Sequence, residues 1–487
     1  MDFRHAWTGK ALPASAATLW KIFAAAAGSF VPLLFLQSVG EEAVYTIIPQ
    51  EMWAAKSFVV PTLYGGSYGR PPLCAWLTLI PTAVLGEQHV RIAARLVSIS
   101  STLLTGLILA WLVRRLFGDR RLAAFAAAVY LSGDTLLAHG WHASADPTFA
   151  LCTFAAMACL WVAAEEKRPA LLLVAGLALI GSFLAKVPTG YLFYALFALV
   201  LIWRHPNRGV LLTPWSAIAH IGALAFPFVW NYVVAGDTVF APAVAKILQL
   251  SGHAQAAHIV AYVGLLAFYP LRVVWDLMPA SAIVVYCLVA RRIPRAALRN
   301  NAILIAAVTV AVNVLPYWFV PESNTRYLMP LYPLCALLMA YVLLNSGAWI
   351  ADIGAKALIA AVAVAYLASL AGYPLYERYF RGDYAKAAQA VVARAADFPL
   401  YVTDNSAIGL SIAGEIDTQR LPRAPITYPP ANFASGFVLS DRRDAAIGPV
   451  ALTLKLGRDT TGTRTRYLLC RGAACAAAAE QPRELSF

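Results

Sequence analysis

Charged residues are scarce in this sequence. Lys, Arg, Asp and Glu together make up 13% of its 487 residues, whereas 60% are hydrophobic, and the mean hydropathy is +0.66. Soluble globular proteins carry about a quarter charged residues, so a water-soluble globule is excluded. A membrane-spanning helix needs about 20 apolar residues, and the chain has room for about ten such helices beside a polar domain. The composition therefore predicts an α-helical polytopic membrane protein.

Acidic residues are also outnumbered, and the formal net charge is +13. Such an excess can indicate a nucleic-acid-binding protein, but the Lys and Arg residues here lie in short clusters between apolar runs. Clusters of this kind mark the cytoplasmic loops of polytopic proteins. We therefore expect membrane lipids, and no nucleic acid, as partners.

Cysteines are too few for a disulfide scaffold. The chain has seven, and the one close pair, Cys470 and Cys475, has no second pair to complete a zinc site. Disulfides persist outside the cytoplasm, so we predict a bridge between Cys470 and Cys475. The other five cysteines are predicted to be packing residues.

Apolar runs predict about 11 membrane spans. They lie near residues 17–37, 92–115, 121–138, 147–164, 169–185, 188–203, 213–233, 259–290, 301–320, 328–346 and 353–372. The eighth is interrupted at Tyr269-Pro270 and is predicted to be broken or bent there. No small-residue cleavage site follows the first run, which favours an anchor over a signal peptide. With the basic clusters inside, the odd number of spans predicts a cytoplasmic amino terminus and an extracytoplasmic carboxyl terminus.

The composition changes at residue 373, where charged residues become frequent. Helical spacing of apolar residues covers 383–396, and β-rich runs follow. These runs are 399–403, 436–440, 450–456 and 465–470. The pattern predicts a transmembrane domain over residues 1–372 and a small α+β extracytoplasmic domain over residues 373–487.

The loop over residues 38–89 is long for a protein whose other connections are short, and such loops are usually functional. Glu41 and Glu42 stand side by side where the first span ends, and Arg70 precedes two prolines. Two apolar stretches, one over residues 43–56 and one after Pro72, suit helices lying along the membrane surface. Such a loop could handle a lipid headgroup. On composition alone, Glu41 and Glu42 could equally be solvated loop acids.

Four groups of residues resemble the motifs of membrane glycosyltransferases with the GT-C fold. The first group lies in the loop and consists of Glu41-Glu42 with Tyr45, Glu51-Met52, Val60-Pro61, Arg70-Pro71-Pro72 and Gly86. The other three are Ala145-Asp146-Pro147, Lys186-Val187-Pro188-Thr189-Gly190 and Thr325-Arg326-Tyr327-Leu328-Met329-Pro330. The sequence is most similar to the aminoarabinose transferases of lipid A and to bacterial relatives of protein O-mannosyltransferases. The resemblance covers about residues 17–346 and identifies the superfamily without specifying the substrate.

Two positions depart from the pattern of these enzymes. Glu41 stands where they usually have aspartate, and Arg70 stands where they have lysine before the two prolines. Glutamate moves the carboxylate outward by one methylene, and arginine keeps the charge but changes its geometry. Either change could mark a subfamily with another sugar or acceptor.

The resemblance implies an inverting glycosyltransferase of the bacterial inner membrane, active on the periplasmic face. Its donor would be a sugar on a polyprenyl phosphate, its acceptor lipid A, lipopolysaccharide or another glycolipid or glycan, and no metal or cofactor would be required. Glu41 holds the catalytic position and would accept the proton of the acceptor hydroxyl. Glu42 and Asp146 compete for the role of a second carboxylate.

The leaving lipid phosphate would need cations, and the sequence offers three at outer membrane boundaries. These are Arg70, Lys186 and Arg326, and arginine suits bidentate contact with phosphate. Tyr45 and Tyr327, which belong to the same motifs, complete the predicted substrate-binding set.

Several of these residues also have purely structural interpretations. Asp146-Pro147 is an ordinary helix start, Lys186 could merely extend to the membrane boundary, and Arg326-Tyr327 could be an interfacial anchor. His139 and His142 precede Asp146 at a spacing that resembles metal ligands, although neutral loop histidines are commoner.

Other functions remain compatible with a polytopic chain. A transporter or flippase for lipid-linked sugars would commonly show paired halves and charges at the membrane midplane, whereas here the charges of interest cluster at one face and no repeat is visible. A non-catalytic scaffold would not need acid, base and proline positions together. A protein O-glycosyltransferase of the same fold remains an alternative.

Overall fold

The computed structural model describes residues 15–186, 188–234, 259–294, 296–320, 324–457, 464–477 and 483–487. The helices of the membrane domain are α1 Ala16–Gly28, α2 Val44–Ala55, α3 Leu73–Leu85, α4 Val90–Phe117, α5 Arg120–Leu131, α6 Asp134–His139, α7 Ala145–Glu165, α8 Leu171–Ala185, α9 Thr189–Arg204, α10 Pro214–Val233, α11 Ile259–Asp276, α12 Ala280–Val289, α13 Asn301–Trp318, α14 Tyr332–Asn345 and α15 Ala348–Leu367. Short 3-10 turns include Pro32–Phe35, Glu87–His89, Arg208–Leu212, Ala297–Arg299 and Thr325–Leu331.

Within the described residues, seven helical stretches are long and apolar enough to cross a membrane, or eight if one bent pair counts as a span. They are Ala16–Phe35, Glu87–Phe117, Ala145–Glu165, Pro214–Val233, Asn301–Trp318, Thr325–Asn345 and Ala348–Arg381, and the bent pair is Tyr262–Asp276 with Ala280–Val289. Shorter apolar helices α3, α8 and α9 accompany them. The structure thus confirms a polytopic helical protein, whereas the count of about 11 spans stays a prediction.

Two predicted spans differ in detail from the structure. The run 121–138 is divided into α5 and α6 around Ser132 and Gly133. The eighth run is broken, but the predicted position at Tyr269-Pro270 is wrong: Pro270 lies inside α11, and the bend of 117° falls between Asp276 and Ala280. There the carbonyl of Met278 accepts a hydrogen bond from the backbone N–H of Asp134 (3.0 Å), so the break is tied to the start of α6.

Helix α7 lies at the centre of the membrane domain. Trp161, Phe154 and most of its alanines are buried, because α4, α8, α9 and the turn Thr325–Leu331 surround it. Small residues allow helices to approach closely within a membrane. One example is Gly176 of α8, where a Cβ atom would lie 2.9 Å from the carbonyl oxygen of Ala219 in α10. Gly176 therefore lets α8 and α10 pack backbone to backbone.

The last membrane helix leads directly into the outer domain. Helix α15 continues without interruption past Gly372, where the predicted membrane domain ends, through two π-helical turns to Arg381. It stops at Gly382, which has φ +82°, a conformation that glycine adopts most readily. A Cβ at Gly382 would meet backbone atoms of Gly457 and Phe487 at 2.6 Å, so glycine is required where the chain turns.

The outer domain consists of a sheet and three helices. The helices are α16 Tyr384–Ala395, α17 Ala407–Gln419 and α18 Ala473–Ala477, and the strands are β3 Leu400–Val402, β4 Gly436–Ser440, β5 Val450–Lys455, β6 Thr465–Arg471 and β7 Arg483–Ser486. The sheet order is β3-β4-β6-β5-β7, with parallel pairs at its two edges and antiparallel pairs between them. The α+β prediction is confirmed, although the sequence does not predict α17, α18 or β7.

The loop between α1 and α4 lies between the two domains rather than on an open membrane surface. Its helix α2 is covered on almost all sides, and residues Thr46 to Met52 are buried. A short hairpin follows, with β1 Thr62–Leu63 antiparallel to β2 Gly66–Ser67. The outer domain closes over it: the Tyr428 N–H donates to the Tyr64 carbonyl (2.9 Å).

Candidate active site

The two adjacent acids of the loop have different surroundings. Glu42 is 3% exposed, and fully buried Arg95 of α4 donates to both of its oxygens, at 3.1 and 2.6 Å. The backbone N–H groups of Val39 and Ala143 donate to the same carboxylate, each at 2.7 Å. Burial alone would raise the pKa of Glu42, but the charge and hydrogen bonds of Arg95 outweigh it and hold the pKa below its usual value. Glu42 is therefore an ionised structural anchor.

Arg95 also fixes the end of the first span. It donates to the carbonyls of Leu33 (2.7 Å), Leu36 (2.6 Å) and Gln37 (2.9 Å), groups that the unwound end of a helix leaves without partners. Because the same guanidinium holds Glu42, the chain from Leu33 to Glu42 has a fixed path. Glu41 is carried on this path.

Glu41 is exposed, in contrast to its neighbour. Within the described residues, its carboxylate forms no hydrogen bond or ion pair, while its backbone carbonyl accepts from the N–H of Val44 (3.2 Å) at the start of α2. Its charge acts on Tyr68 and Arg70. An exposed carboxylate near a cation, on a rigid backbone, is available to accept a proton.

Arg70 and Tyr45 form the second part of the site. The Arg70 guanidinium donates to the Tyr45 hydroxyl (3.1 Å) and lies 5.6 Å from the centre of the Tyr68 ring. Burial raises the pKa of Tyr45, so its phenol keeps its proton and can donate while accepting from Arg70. The loop thus presents a guanidinium and a hydroxyl together, as a phosphate requires.

Lys186 and Asp146 form the third part. Asp146 lies in the first turn of α7 and Lys186 in the turn between α8 and α9, and their side chains form an ion pair. The Lys186 ammonium also lies 4.6 Å from the centre of the Tyr327 ring. Both partners are partly accessible, with side-chain exposures of 16% and 14%. Asp146 is therefore compensated by a cation, whereas Glu41 is not.

Arg326 lies in the 3-10 turn before α14 and is exposed. Its charge acts on His139 and His142, while its neighbour Tyr327 faces Lys186. The structure therefore brings the predicted site residues from four separate motifs to one end of the membrane domain, beneath the outer domain. It separates Glu42 from them as a buried support.

The histidines before Asp146 form a ring cluster. His139 and His142 pack edge to face at 5.2 Å, and Trp141 packs on His142 at 4.1 Å. Asp146 is paired with Lys186, and in the described part of the chain no group of three His, Cys, Asp or Glu side chains is arranged to hold a metal ion. In the outer domain, Cys470 and Cys475 are joined by a disulfide.

Arg95 and Tyr68 are the functional residues that sequence reasoning missed. Arg95 carried a signal, because a charged residue inside an apolar run is rarely accidental. The apolar run 92–115 that contains Arg95 does not reveal which residue pairs with that charge. Tyr68 carried no signal beyond its place in a Gly/Tyr-rich turn.

Known proteins share both the fold and part of the sequence. A family model for dolichyl-phosphate-mannose-protein mannosyltransferases matches residues 69–232. An undecaprenyl phosphate-α-4-amino-4-deoxy-L-arabinose arabinosyl transferase of Sodalis glossinidius is 34% identical over 129 residues, which are 26% of this chain and 23% of that protein. The corresponding enzyme of Yersinia enterocolitica is 30% identical over 203 residues, 40% of this chain and 36% of the relative. The matched segments thus span about a quarter to a third of the relatives' length.

Solved structures extend the likeness to nearly the whole chain. The crystal structure of ArnT from Cupriavidus metallidurans bound to undecaprenyl phosphate aligns with a TM-score of 0.65 at 16% identity, covering 94% of this chain and 98% of that one. The oligosaccharyltransferase of Archaeoglobus fulgidus, in complex with zinc and sulfate, aligns with a TM-score of 0.51 at 14% identity, covering 86% and 68%. The chain therefore has the GT-C fold that its motifs predict.

Proposed function

We propose that the protein is an inverting glycosyltransferase that uses a sugar carried on a polyprenyl phosphate. The observation that carries the proposal is the contrast among three carboxylates, two in the site and one buried beneath it. Glu42 and Asp146 are each paired with a cation, whereas Glu41 is exposed, unpaired among the described residues, and interacts electrostatically with Arg70. Only Glu41 is free to act as a general base.

In the proposed reaction, Glu41 takes the proton of the acceptor hydroxyl while that oxygen bonds to the anomeric carbon from the face opposite the phosphate. The bond between the anomeric carbon and the phosphate oxygen breaks, and its electron pair leaves on the lipid phosphate. Arg70 with Tyr45, Lys186 and Arg326 would stabilise the developing negative charge. These cations perform the task without a metal ion, so transfer should continue in excess chelator.

The proposed acceptor is a glycolipid or glycan of the cell envelope, such as lipid A. Sequence similarity to the arabinosyl transferases supports a donor on undecaprenyl phosphate. The match to the protein mannosyltransferase model favours a second candidate acceptor, a protein hydroxyl. Incubation with radiolabelled lipid-linked sugar and either extracted lipids or envelope proteins distinguishes them by the fraction that becomes labelled.

The proposed location is the bacterial inner membrane, with the outer domain in the periplasm and the amino terminus in the cytoplasm. Basic turns support this orientation, since Arg115 and Arg168 flank Glu166 at the end of α7 opposite Asp146. The amino-terminal arm itself lies outside the described residues. A reporter that is active only in the periplasm should be active when it is fused near residue 400. A fusion at that position that behaves as a cytoplasmic protein would refute this topology.

The test of the base is Glu41→Gln, which keeps the size of the side chain but removes proton acceptance. We expect turnover to fall by about 10²–10⁴-fold, with donor affinity retained because the phosphate is held by cations elsewhere. Glu41→Asp restores the carboxylate at a shorter reach and should recover part of the activity. Asp146→Asn is the matched control; loss there with full activity in Glu41→Gln would assign the base to Asp146.

Donor binding tests the phosphate ligands separately from the chemistry. Lys186→Ala and Arg70→Ala should each weaken binding of undecaprenyl phosphate by about 1.5–3 kcal/mol, the value of a hydrogen bond to a charged group. Isothermal titration or fluorescence binding in detergent measures this without turnover. Unchanged affinity in both variants would show that the phosphate binds elsewhere.

A further inference from the structure

A second binding feature lies between α9 and α10 and opens at the end of these helices away from the active site. It is a lipid-facing groove with a volume of about 600 Å³. Its walls are apolar, and several lining side chains are strongly exposed, among them Leu199 (60%), Leu212 (90%) and Leu224 (60%). The groove exists because α10 packs on α8 through Gly176, which leaves α9 apart from α10.

Hydrogen bonds between the two helices form the floor of the groove. The Tyr191 hydroxyl donates to the Ala223 carbonyl (2.8 Å), and the Tyr194 hydroxyl lies 3.0 Å from His220 Nε2. On its other side, His220 Nδ1 lies 2.7 Å from the Ser216 carbonyl, an acceptor, so Nδ1 carries a proton and donates it there. An ionisable residue inside a membrane domain indicates a functional site, and here both ring nitrogens are hydrogen-bonded within a groove open to lipid.

The groove opens at the membrane boundary opposite the outer domain. Leu211, Leu212 and Thr213 form this end, next to Arg204 at the end of α9 and Arg208 in the following turn. Both arginines are exposed, and neither forms an ion pair with a described residue. The carboxylate of the nearby acid Glu165 lies 3.0 Å from His205 Nε2 and forms no ion pair with either arginine among the described residues. The mouth of the groove therefore presents two uncompensated positive charges at headgroup depth.

We propose that this groove binds an anionic phospholipid, with one acyl chain along α9 and α10 and the headgroup phosphate at Arg204 and Arg208. The charge at the mouth selects an anionic headgroup, and the apolar walls accept a hydrocarbon chain. Helix α9 has 16 residues, about 24 Å of rise, between Thr189 beside the active site and Arg204. The proposed lipid therefore belongs to the leaflet opposite the donor phosphate and differs from the donor.

Native mass spectrometry of the delipidated full-length protein tests this, with dioleoyl phosphatidylglycerol and dioleoyl phosphatidylcholine as probes. We expect tighter retention of phosphatidylglycerol. Arg204→Gln and Arg208→Gln should each weaken it about fivefold and leave phosphatidylcholine unchanged. Ala195→Trp and Ala217→Trp fill the groove and should reduce binding of both lipids, whereas Ala363→Trp on the exposed face of α15 is the control. Equal affinity for the two lipids would overturn the proposal.

Photo-crosslinking gives a readout that needs no variant. Phosphatidylglycerol with a photoreactive acyl chain should label peptides of α9 and α10 in the wild-type protein. Labels spread evenly over all membrane helices would indicate ordinary surrounding lipid and refute a specific site. Displacement of the label by undecaprenyl phosphate would identify the groove as a place for the donor chain, which also contradicts the proposal.

Discussion

The loop that carries Glu41 is held from two sides, and the two supports differ in charge. On the membrane side, the buried acid Glu42 is matched by the buried base Arg95 at 2.6 Å. On the outer-domain side, Asp417 of α17 is also buried, but one of its oxygens accepts only the Ile426 N–H (2.7 Å), and the other has no hydrogen-bond partner. Burial raises the pKa of Asp417 most strongly, the charge of Glu51 raises it further, and the cation Arg420 lowers it by less than Glu51 raises it.

This difference determines what each support can do. A compensated pair keeps its charges over a wide pH range and fixes a backbone path. An uncompensated buried acid stays neutral instead, and burial raises the pKa of Asp417 to about 8. The membrane-side support is therefore rigid, whereas the outer support responds to protons near neutral pH.

The largest effect should come from breaking the membrane-side support. Arg95→Met or Glu42→Gln leaves one buried partner without its match and should lower the free energy of unfolding by about 3–5 kcal/mol. Denaturant unfolding in detergent measures this. The double variant removes both side chains' charges and should recover part of the loss. A double variant that is as unstable as the sum of the two singles would show that the pairing is not the cause.

The next effect concerns the outer support and depends on pH. The folded protein keeps a proton on Asp417 up to about pH 8, whereas the unfolded chain releases it near its ordinary pKa of about 3.9. Stability therefore falls as pH rises through this window and levels off above it. Asp417→Asn is neutral throughout, so its melting temperature should exceed that of wild type increasingly from pH 5 to pH 8.

Exposed Asp441 supplies the control for this pH profile. Asp441→Asn introduces the same amide without removing a buried acid. Its melting temperature should therefore depend on pH in the same way as that of the wild-type protein. If the profile of Asp417→Asn also ran parallel, Asp417 would not be the titrating group.

The smallest effect is expected at the rim of the outer contact. Arg91 of α4 forms an ion pair with Glu415 of α17, with side-chain exposures of 30% and 16%. Partly solvated pairs contribute about 0.2–1 kcal/mol, so Arg91→Ala should lower stability only by that amount. The loss should shrink at high salt. A loss as large as that of Arg95→Met would mean that position on α4, rather than burial, governs the effect.

Local patterns predicted the elements better than the contacts between them. Strand β4 matches its prediction because its apolar run is bounded by turn residues, and α16 matches because its apolar positions recur at helical spacing. Helix α17 is not predicted because its Gly, Ser and Thr residues interrupt the helical spacing of its apolar residues. Strand β7 has only four residues, too few for a period to show.

The residues of the candidate site could be predicted from the sequence, but the different role of each acidic residue could not. Motif spacing predicts Glu41, Arg70, Asp146 and Lys186 at one membrane boundary, and the structure places them at the same end of the membrane domain, while their roles stay predictions. The partner of Glu42 lies 53 positions away at Arg95, and no local pattern encodes such a contact. Which of two adjacent acids remains free is therefore a property of packing, and it required the structure.

The aromatic residues at the end of α15 indicate where the membrane boundary lies. Tyr376, Tyr379 and Phe380 are each nearly half exposed on its last turns, and such rings settle where hydrocarbon meets headgroups. Directly above them, Gly382 accepts a hydrogen bond from the Gln37 side chain (2.8 Å), at the start of the loop that carries Glu41. In the proposed reaction, the reacting groups would therefore stand level with the headgroups, and a phosphate anchored by a long lipid tail would reach Arg70 by lateral diffusion alone, without being lifted out of the bilayer.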